Sequence, residues 1–219
     1  MDLFVQLKQA LPAGLGGVIF DCDGVLLDSR ASNTAYYNLV RKFFDLPPMT
    51  AEQEDFVHIR TSLQSLHHVL PAPFLPRLKE ALDSIDYMRD LTPHIRLEPG
   101  ICELLQGLHE EGVKLAVHTN RSVLTLPVLD YFDLSKYFSP IISAATHKPK
   151  PDPEGVFVIL NDWHMSAKQV LFVGDSLLDQ QASTAAGVGF LAYKNFDLSG
   201  VAAIDDFAVL LPRLLPLCG

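Results

Sequence analysis

Cysteine is scarce in this chain: Cys22, Cys102 and Cys218 are three, odd in number and far apart. No CxxC pair and no Cys/His ligand spacing occurs among them. That excludes a disulfide framework and a cysteine zinc site, and it fits reduced thiols in a cytoplasmic compartment. Basic charge is also in deficit, with 17 Lys+Arg against 26 Asp+Glu and a formal net charge of −9. Such an excess repels polyanions and excludes nucleic acid as the expected partner. A small anionic substrate remains compatible, because a metal and a few cations reverse the field inside a cleft. Long apolar runs are missing too. No stretch approaches a membrane span, and Met1–Lys8 lacks the basic and apolar regions of a signal peptide. The expectation is an acidic, cytoplasmic protein with no membrane partner.

What is present is an ordinary globular balance, 48% hydrophobic and 20% charged over 219 residues, enough for a real core. Within it one segment stands out, Gly17-Val18-Ile19-Phe20-Asp21-Cys22-Asp23-Gly24. An apolar run that reads as a buried strand ends in two carboxylates one residue apart. Residues two apart share a face of a strand, so Asp21 and Asp23 are expected to converge. Like charges that close need a cation or a shared proton, and the pair therefore points to metal binding or catalysis.

Five apolar segments read as strands: 17–20, 114–118, 140–143, 170–173 and 189–193. Helical patterns separate most of them, including 103–111, closed by Gly112, and a helix opened by Asp152-Pro153-Glu154. Continuous apolar strands alternating with helices predict an α/β fold, a doubly wound Rossmann-like parallel sheet covered on both faces. Residues 30–96 differ. Their apolar positions (Tyr36, Tyr37, Val40, Phe43, Phe44, then Leu75, Leu78, Leu82, Ile85) recur with helical period and include no strand. The expected organisation is a discontinuous core, 1–29 with 97–219, and an inserted all-helical cap, 30–96. Ligands of such sheets bind beyond the carboxyl ends of the strands.

The strand ends carry the chemistry. The first delivers Asp21 and Asp23, the second Thr119-Asn120-Arg121, and the fourth Gly174-Asp175-Ser176-x-x-Asp179. The segment after the third delivers His147-Lys148-Pro149-Lys150-Pro151-Asp152. In a parallel sheet all of these share one edge.

DCDGVLLDS, VHTN, HKPKPDP and VGDSLLD, in this order, resemble the four motifs of the haloacid dehalogenase-like superfamily. The resemblance covers about Gly17 to Tyr193. It is nearest to the branch with a helical cap, which includes phosphoglycolate phosphatase and β-phosphoglucomutase. It implies a Mg²⁺-dependent phosphatase acting on a small phosphorylated metabolite through an aspartyl-phosphate. In that reading Asp21 is the nucleophile and Asp23 the general acid and base. Asp21, the Asp23 backbone carbonyl and Asp175 hold Mg²⁺. Thr119 donates its hydroxyl to a phosphoryl oxygen, and the spacing Lys-Pro-x-Pro selects Lys148 as the neutralising lysine, leaving Lys150 in solvent.

Asp179 is expected either to support the metal and lysine or merely to cap a helix with Ser176. Asn120, Arg121 and Arg60 are candidates for substrate contact. Arg60 stands where related caps often carry glycine. Cys22, flanked by acids, is expected to have a raised pKa and to contribute only its backbone N–H. Two alternatives share the fold, a β-phosphoglucomutase-like phosphotransferase and a phosphate-binding protein without turnover. A dehalogenase is disfavoured, since that branch lacks the second acid.

Overall fold

The computed structural model describes residues 2–58, 62–121 and 124–218. The expected substrate contact Arg60 lies outside the described residues. The strands in chain order are β1 (Gly17–Phe20), β2 (Leu27–Asp28), β3 (Arg96–Leu97), β4 (Lys114–Thr119), β5 (Ile141–Ser143), β6 (Val170–Gly174), β7 (Gly189–Tyr193) and β8 (Ala202–Ile204). Six of them form one sheet in the order β5-β4-β1-β6-β7-β8, and every pairing in it is parallel. β2 and β3 pair as a separate two-stranded ladder. The predicted doubly wound α/β sheet is thus present, with one strand more than the sequence pattern supplied. β8 is three residues long, and Ala202-Ala203 lacks the β-branched and aromatic character that marks a strand.

Every residue of β1 and β6 is buried, as required of central parallel strands covered on both faces. On one face Ile19, Ala116, Ile142, Phe172 and Phe190 pack with Val156, Ile159 and Trp163 of the helix Glu154–Trp163. That helix begins one residue later than expected: Pro153 is its N-cap, while the Asp152 side chain accepts the Glu154 N–H at 3.0 Å. The covering helix Ile101–Glu110 ends at Gly112, whose φ of +74° supplies the left-handed turn.

The register fixes the functional edge. Phe20 pairs with Val117 on one side and with Val173 on the other. Asp21, Thr119 and Asp175 therefore leave the sheet at the same end. The chain runs outward from β1 to β4 and β5, then crosses to β6 and continues the other way. The gap between β1 and β6 is a topological switch point, where open α/β sheets place ligands.

The chain divides into two compact units, 1–27 with 97–219 and Asp28–Arg96. The second is built from the helices Arg30–Phe43, Ala51–His58, Ser62–Val69 and Leu78–Asp83, with shorter helical turns between. Its core gathers Tyr37, Val40, Phe44, Met49, Val57, Leu66, Val69 and Ala81. Buried Arg41 ties it together through donation to the carbonyls of Pro47 (2.7 Å) and Val69 (2.5 Å).

Candidate active site

The site begins where β1 stops. The Asp21 N–H still completes the sheet by donating to the Val173 carbonyl at 3.0 Å. Beyond it the chain turns: the Leu26 and Leu27 N–H groups both donate to the Cys22 carbonyl, and Gly24 N–H donates to Leu27. Gly24 holds this turn with φ +79°. A Cβ there would lie 2.2 Å from Asp175 Oδ2, so glycine serves both the backbone and the neighbouring carboxylate.

The two acids meet different cations. Asp21 is buried and faces Lys150, whose Nζ is 2.7 Å from Asp21 Oδ1 and 2.5 Å from Asp179 Oδ1. Asp23 instead meets Arg121, which donates from Nη2 to Oδ1 at 2.5 Å and from Nε to Oδ2 at 3.1 Å. β1 ends at Phe20, so both acids lie past the strand within which side-chain alternation holds, and they take different partners.

The lysine expectation is corrected. Lys148 stays out at the surface, 66% exposed at its side chain and 3.6 Å from Asp152. Lys150 is the one that enters, 2% exposed, with its Nζ also donating to the His118 carbonyl at 3.0 Å. The spacing Lys-Pro-x-Pro occurs twice here, as Lys148-Pro149-Lys150-Pro151 and as Lys150-Pro151-Asp152-Pro153. The second reading of the same motif was the signal for Lys150.

Asn120, expected near substrate, spends both ends of its amide on Lys150. Its Oδ1 accepts the Lys150 N–H at 2.7 Å and its Nδ2 donates to the Lys150 carbonyl at 3.0 Å. Thr119 is buried, and its Oγ1 accepts the Arg121 N–H at 3.1 Å. That leaves the hydroxyl proton available to another acceptor.

Asp179 both caps its helix and meets the lysine. One oxygen accepts from the Ser176 N–H (3.0 Å) and hydroxyl (2.6 Å) in a capping box, while the other pairs with Lys150. Asn195, which no motif in the sequence singled out, donates to the Asp175 carbonyl at 2.7 Å.

Electrostatics set the character of the cluster. Burial, with Asp179 and Asp175 adding to it against the pull of Lys150, pushes the Asp21 carboxyl up to about 8. Burial and then Asp179 raise Asp175 to about 6. Burial alone would lower the Lys150 ammonium, but Asp21 and Asp179 outweigh it and hold it above its ordinary value. Burial also raises the Cys22 thiol, with Asp23 adding to the effect, and its N–H donates to Asp21 Oδ1 at 2.7 Å.

Carboxylate oxygens of Asp21, Asp175 and Asp179 lie within 4.8 Å of one another. Three hard oxygen donors crowded this closely, with two carboxyls raised by the crowding and burial, fit a divalent cation such as Mg²⁺. The Asp23 carboxylate, directed to Arg121, is not part of that group.

The haloacid dehalogenase-like hydrolase family model matches residues 18–193. The chain belongs to that family. It is an enzyme, a hydrolase of the haloacid dehalogenase-like type. A phosphoglycolate phosphatase from Agrobacterium fabrum is 29% identical over 214 residues, covering 90% of this chain and 91% of the relative. Another phosphoglycolate phosphatase, from Salmonella typhimurium, is 29% identical over 231 residues, with 90% and 92% covered. Among solved structures, a haloacid dehalogenase-superfamily hydrolase of subfamily IA from Geobacter sulfurreducens superposes with a TM-score of 0.85 at 33% identity, covering 94% of this chain and 98% of the other. Among the described residues, no helix is long and apolar enough to cross a membrane.

Proposed function

We propose that this enzyme is a Mg²⁺-dependent phosphatase that hydrolyses a small phosphomonoester in two steps through an aspartyl-phosphate on Asp21. The observation that carries the reading is the convergence of Asp21, Lys150, Asp175 and Asp179 at the carboxyl ends of β1 and β6. In the first step an Asp21 oxygen attacks phosphorus and the bond to the substrate alcohol breaks. Asp23 gives its proton to the departing oxygen. In the second step Asp23 takes a proton from water as that water attacks the phosphoryl group, releasing phosphate and restoring Asp21.

A carboxylate approaching a phosphate dianion meets like charge, and Lys150 offsets it from within the site. Thr119 offers its hydroxyl proton to a phosphoryl oxygen. Asp21, Asp175 and the Asp23 backbone carbonyl would hold Mg²⁺, with Asp179 braced between Lys150 and the start of its helix. The ion supplies positive charge to phosphoryl oxygens during transfer. Asn120 holds the backbone of Lys150 rather than substrate. The inserted helical unit 30–96 acts as the cap, and a cytoplasmic location suits the free thiols.

The names of the curated relatives support phosphoglycolate as the first substrate to try. The test is phosphate release from phosphoglycolate and from p-nitrophenyl phosphate, with Mg²⁺ and with EDTA. Wild-type activity should need the metal, and Asp21→Asn should abolish turnover of both esters. Wild-type turnover by that variant would overturn the mechanism.

A further inference from the structure

The Arg121–Asp23 pair differs from the ion pairs between sequence neighbours at the surface of this protein. Pairs such as Arg77–Glu80 and Lys79–Asp83 join residues three or four apart in sequence, with both side chains more than half exposed. Arg121 and Asp23 are 98 residues apart in sequence and come from the ends of different strands. The arginine side chain is 9% exposed, and two of its nitrogens meet the two oxygens of one carboxylate. A fork-to-fork contact fixes the plane of a carboxylate as well as its position. The Arg121 backbone is itself pinned, through its N–H on Thr119 Oγ1 at 3.1 Å. What this pair supplies is direction for an acid that stands 38% exposed at the tip of a turn.

We propose that Arg121 is a positioning residue that aims the Asp23 carboxyl at the leaving oxygen, a role that rests on Asp23 acting as the general acid. A protonated carboxyl still has a carbonyl oxygen to accept one N–H, while its O–H points elsewhere. Arg121 therefore keeps one of its two bonds as a pivot when Asp23 carries the proton. When the P–O bond breaks, that proton passes from Asp23 to the alcohol oxygen. Arg121 exchanges none.

The experiment compares kcat/KM for phenyl phosphate and p-nitrophenyl phosphate, both lacking a carboxylate. Nitrophenolate departs without help, whereas phenolate benefits from a proton. The ratio of the two values is taken within each variant, so loss of folded protein cancels. Asp23→Asn should depress the phenyl ester selectively. Arg121→Gln should shift the ratio in the same direction by at least about tenfold, part of the range general acid catalysis supplies. Arg121→Lys, a single point charge, should recover only part of it. The double variant should be no more selective than Asp23→Asn alone. Equal losses on both esters for Arg121→Gln, or a further change in ratio in the Asp23→Asn background, would overturn the positioning role. If Asp23→Asn leaves the ratio unchanged, Asp23 is not the acid, and the underlying reading fails with the proposal. If Asp23→Asn shifts the ratio and Arg121→Gln does not, only the proposal fails.

Discussion

Lys150 Nζ lies between Asp21 Oδ1, at 2.7 Å, and Asp179 Oδ1, at 2.5 Å, so one buried ammonium is shared by two buried carboxylates. Around it the backbone is clamped by Asn120 in both directions. The lysine thus joins the β1 acid to the helix that follows β6 and links the chemistry of the site to its stability.

Replacing it should damage both. Lys150→Ala leaves Asp21 and Asp179 buried without their cation, which costs about 3–5 kcal/mol by analogy with other broken buried pairs. Loss of charge stabilisation during transfer should lower kcat by about 10²–10³. Lys148→Ala, at an exposed position, should change stability by less than about 0.5 kcal/mol and leave kcat near wild type. Urea unfolding and phosphate-release kinetics on the two variants decide the matter. A large kcat loss on Lys148→Ala with little on Lys150→Ala would reverse the assignment.

Gly24 and Gly112 offer a paired test of backbone against site. Both have positive φ, +79° and +74°, but only at Gly24 does an added Cβ meet another group, Asp175 Oδ2 at 2.2 Å. Alanine at Gly112 should cost about 1–2 kcal/mol of backbone strain and leave kcat intact. Alanine at Gly24 should cost at least as much and also displace Asp175, weakening Mg²⁺ binding. Titration calorimetry with Mg²⁺ separates the two variants, and equal affinities would show that the close approach is relieved without moving Asp175.

Metal binding should release protons. Asp175 is raised to about 6 and Asp21 to about 8 in the metal-free protein. Near neutral pH part of this pair is protonated, and a cation that needs carboxylates expels the proton. Affinity for Mg²⁺ should therefore fall as pH drops from 8 toward 6, with roughly one proton released per ion near pH 7. Calorimetry in buffers of different ionisation enthalpy measures this directly. A binding enthalpy independent of the buffer would contradict it.

His118 should make the fold acid-sensitive. Its imidazole is buried in β4, and desolvation, with Lys150 nearby, lowers it from 6.5 to about 4. The unfolded chain thus takes up a proton at a pH where the folded one does not. Stability from this group is complete above pH 6.5 and is lost as pH falls toward 4, by roughly 3 kcal/mol in all. His118→Asn should flatten the dependence of unfolding free energy on pH over that window, whatever it costs at pH 7. Identical slopes for the two proteins in urea titrations would sink this assignment.

Much of the site was legible because parallel α/β folds write their chemistry at strand ends. The apolar runs before Asp21, Thr119 and Asp175 mark β1, β4 and β6 directly, and alternation with helices dictates that their tips share an edge. Ser176 and Asp179 were readable as a capping box from their spacing alone. Three features were not legible. Asn195 follows β7 with no motif around it, and it reaches Asp175 only because β6 and β7 are neighbours. β8 has too little apolar character to announce itself. Asp23 and Arg121, 98 residues apart, carry no mark of their pairing.

The sequence by itself determined the fold class, the edge on which function lies and the acids that gather there, since each follows from local pattern and short-range spacing. Which lysine enters, and where Asp23 points, only the tertiary structure decided. Lys148 and Lys150 carry the same spacing, and the choice depends on which ammonium finds buried carboxylates to offset its desolvation. Asp21 and Asp23 look like a pair in sequence. Past the end of β1 they take different partners, Asp21 pairing with Lys150 and Asp23 with Arg121.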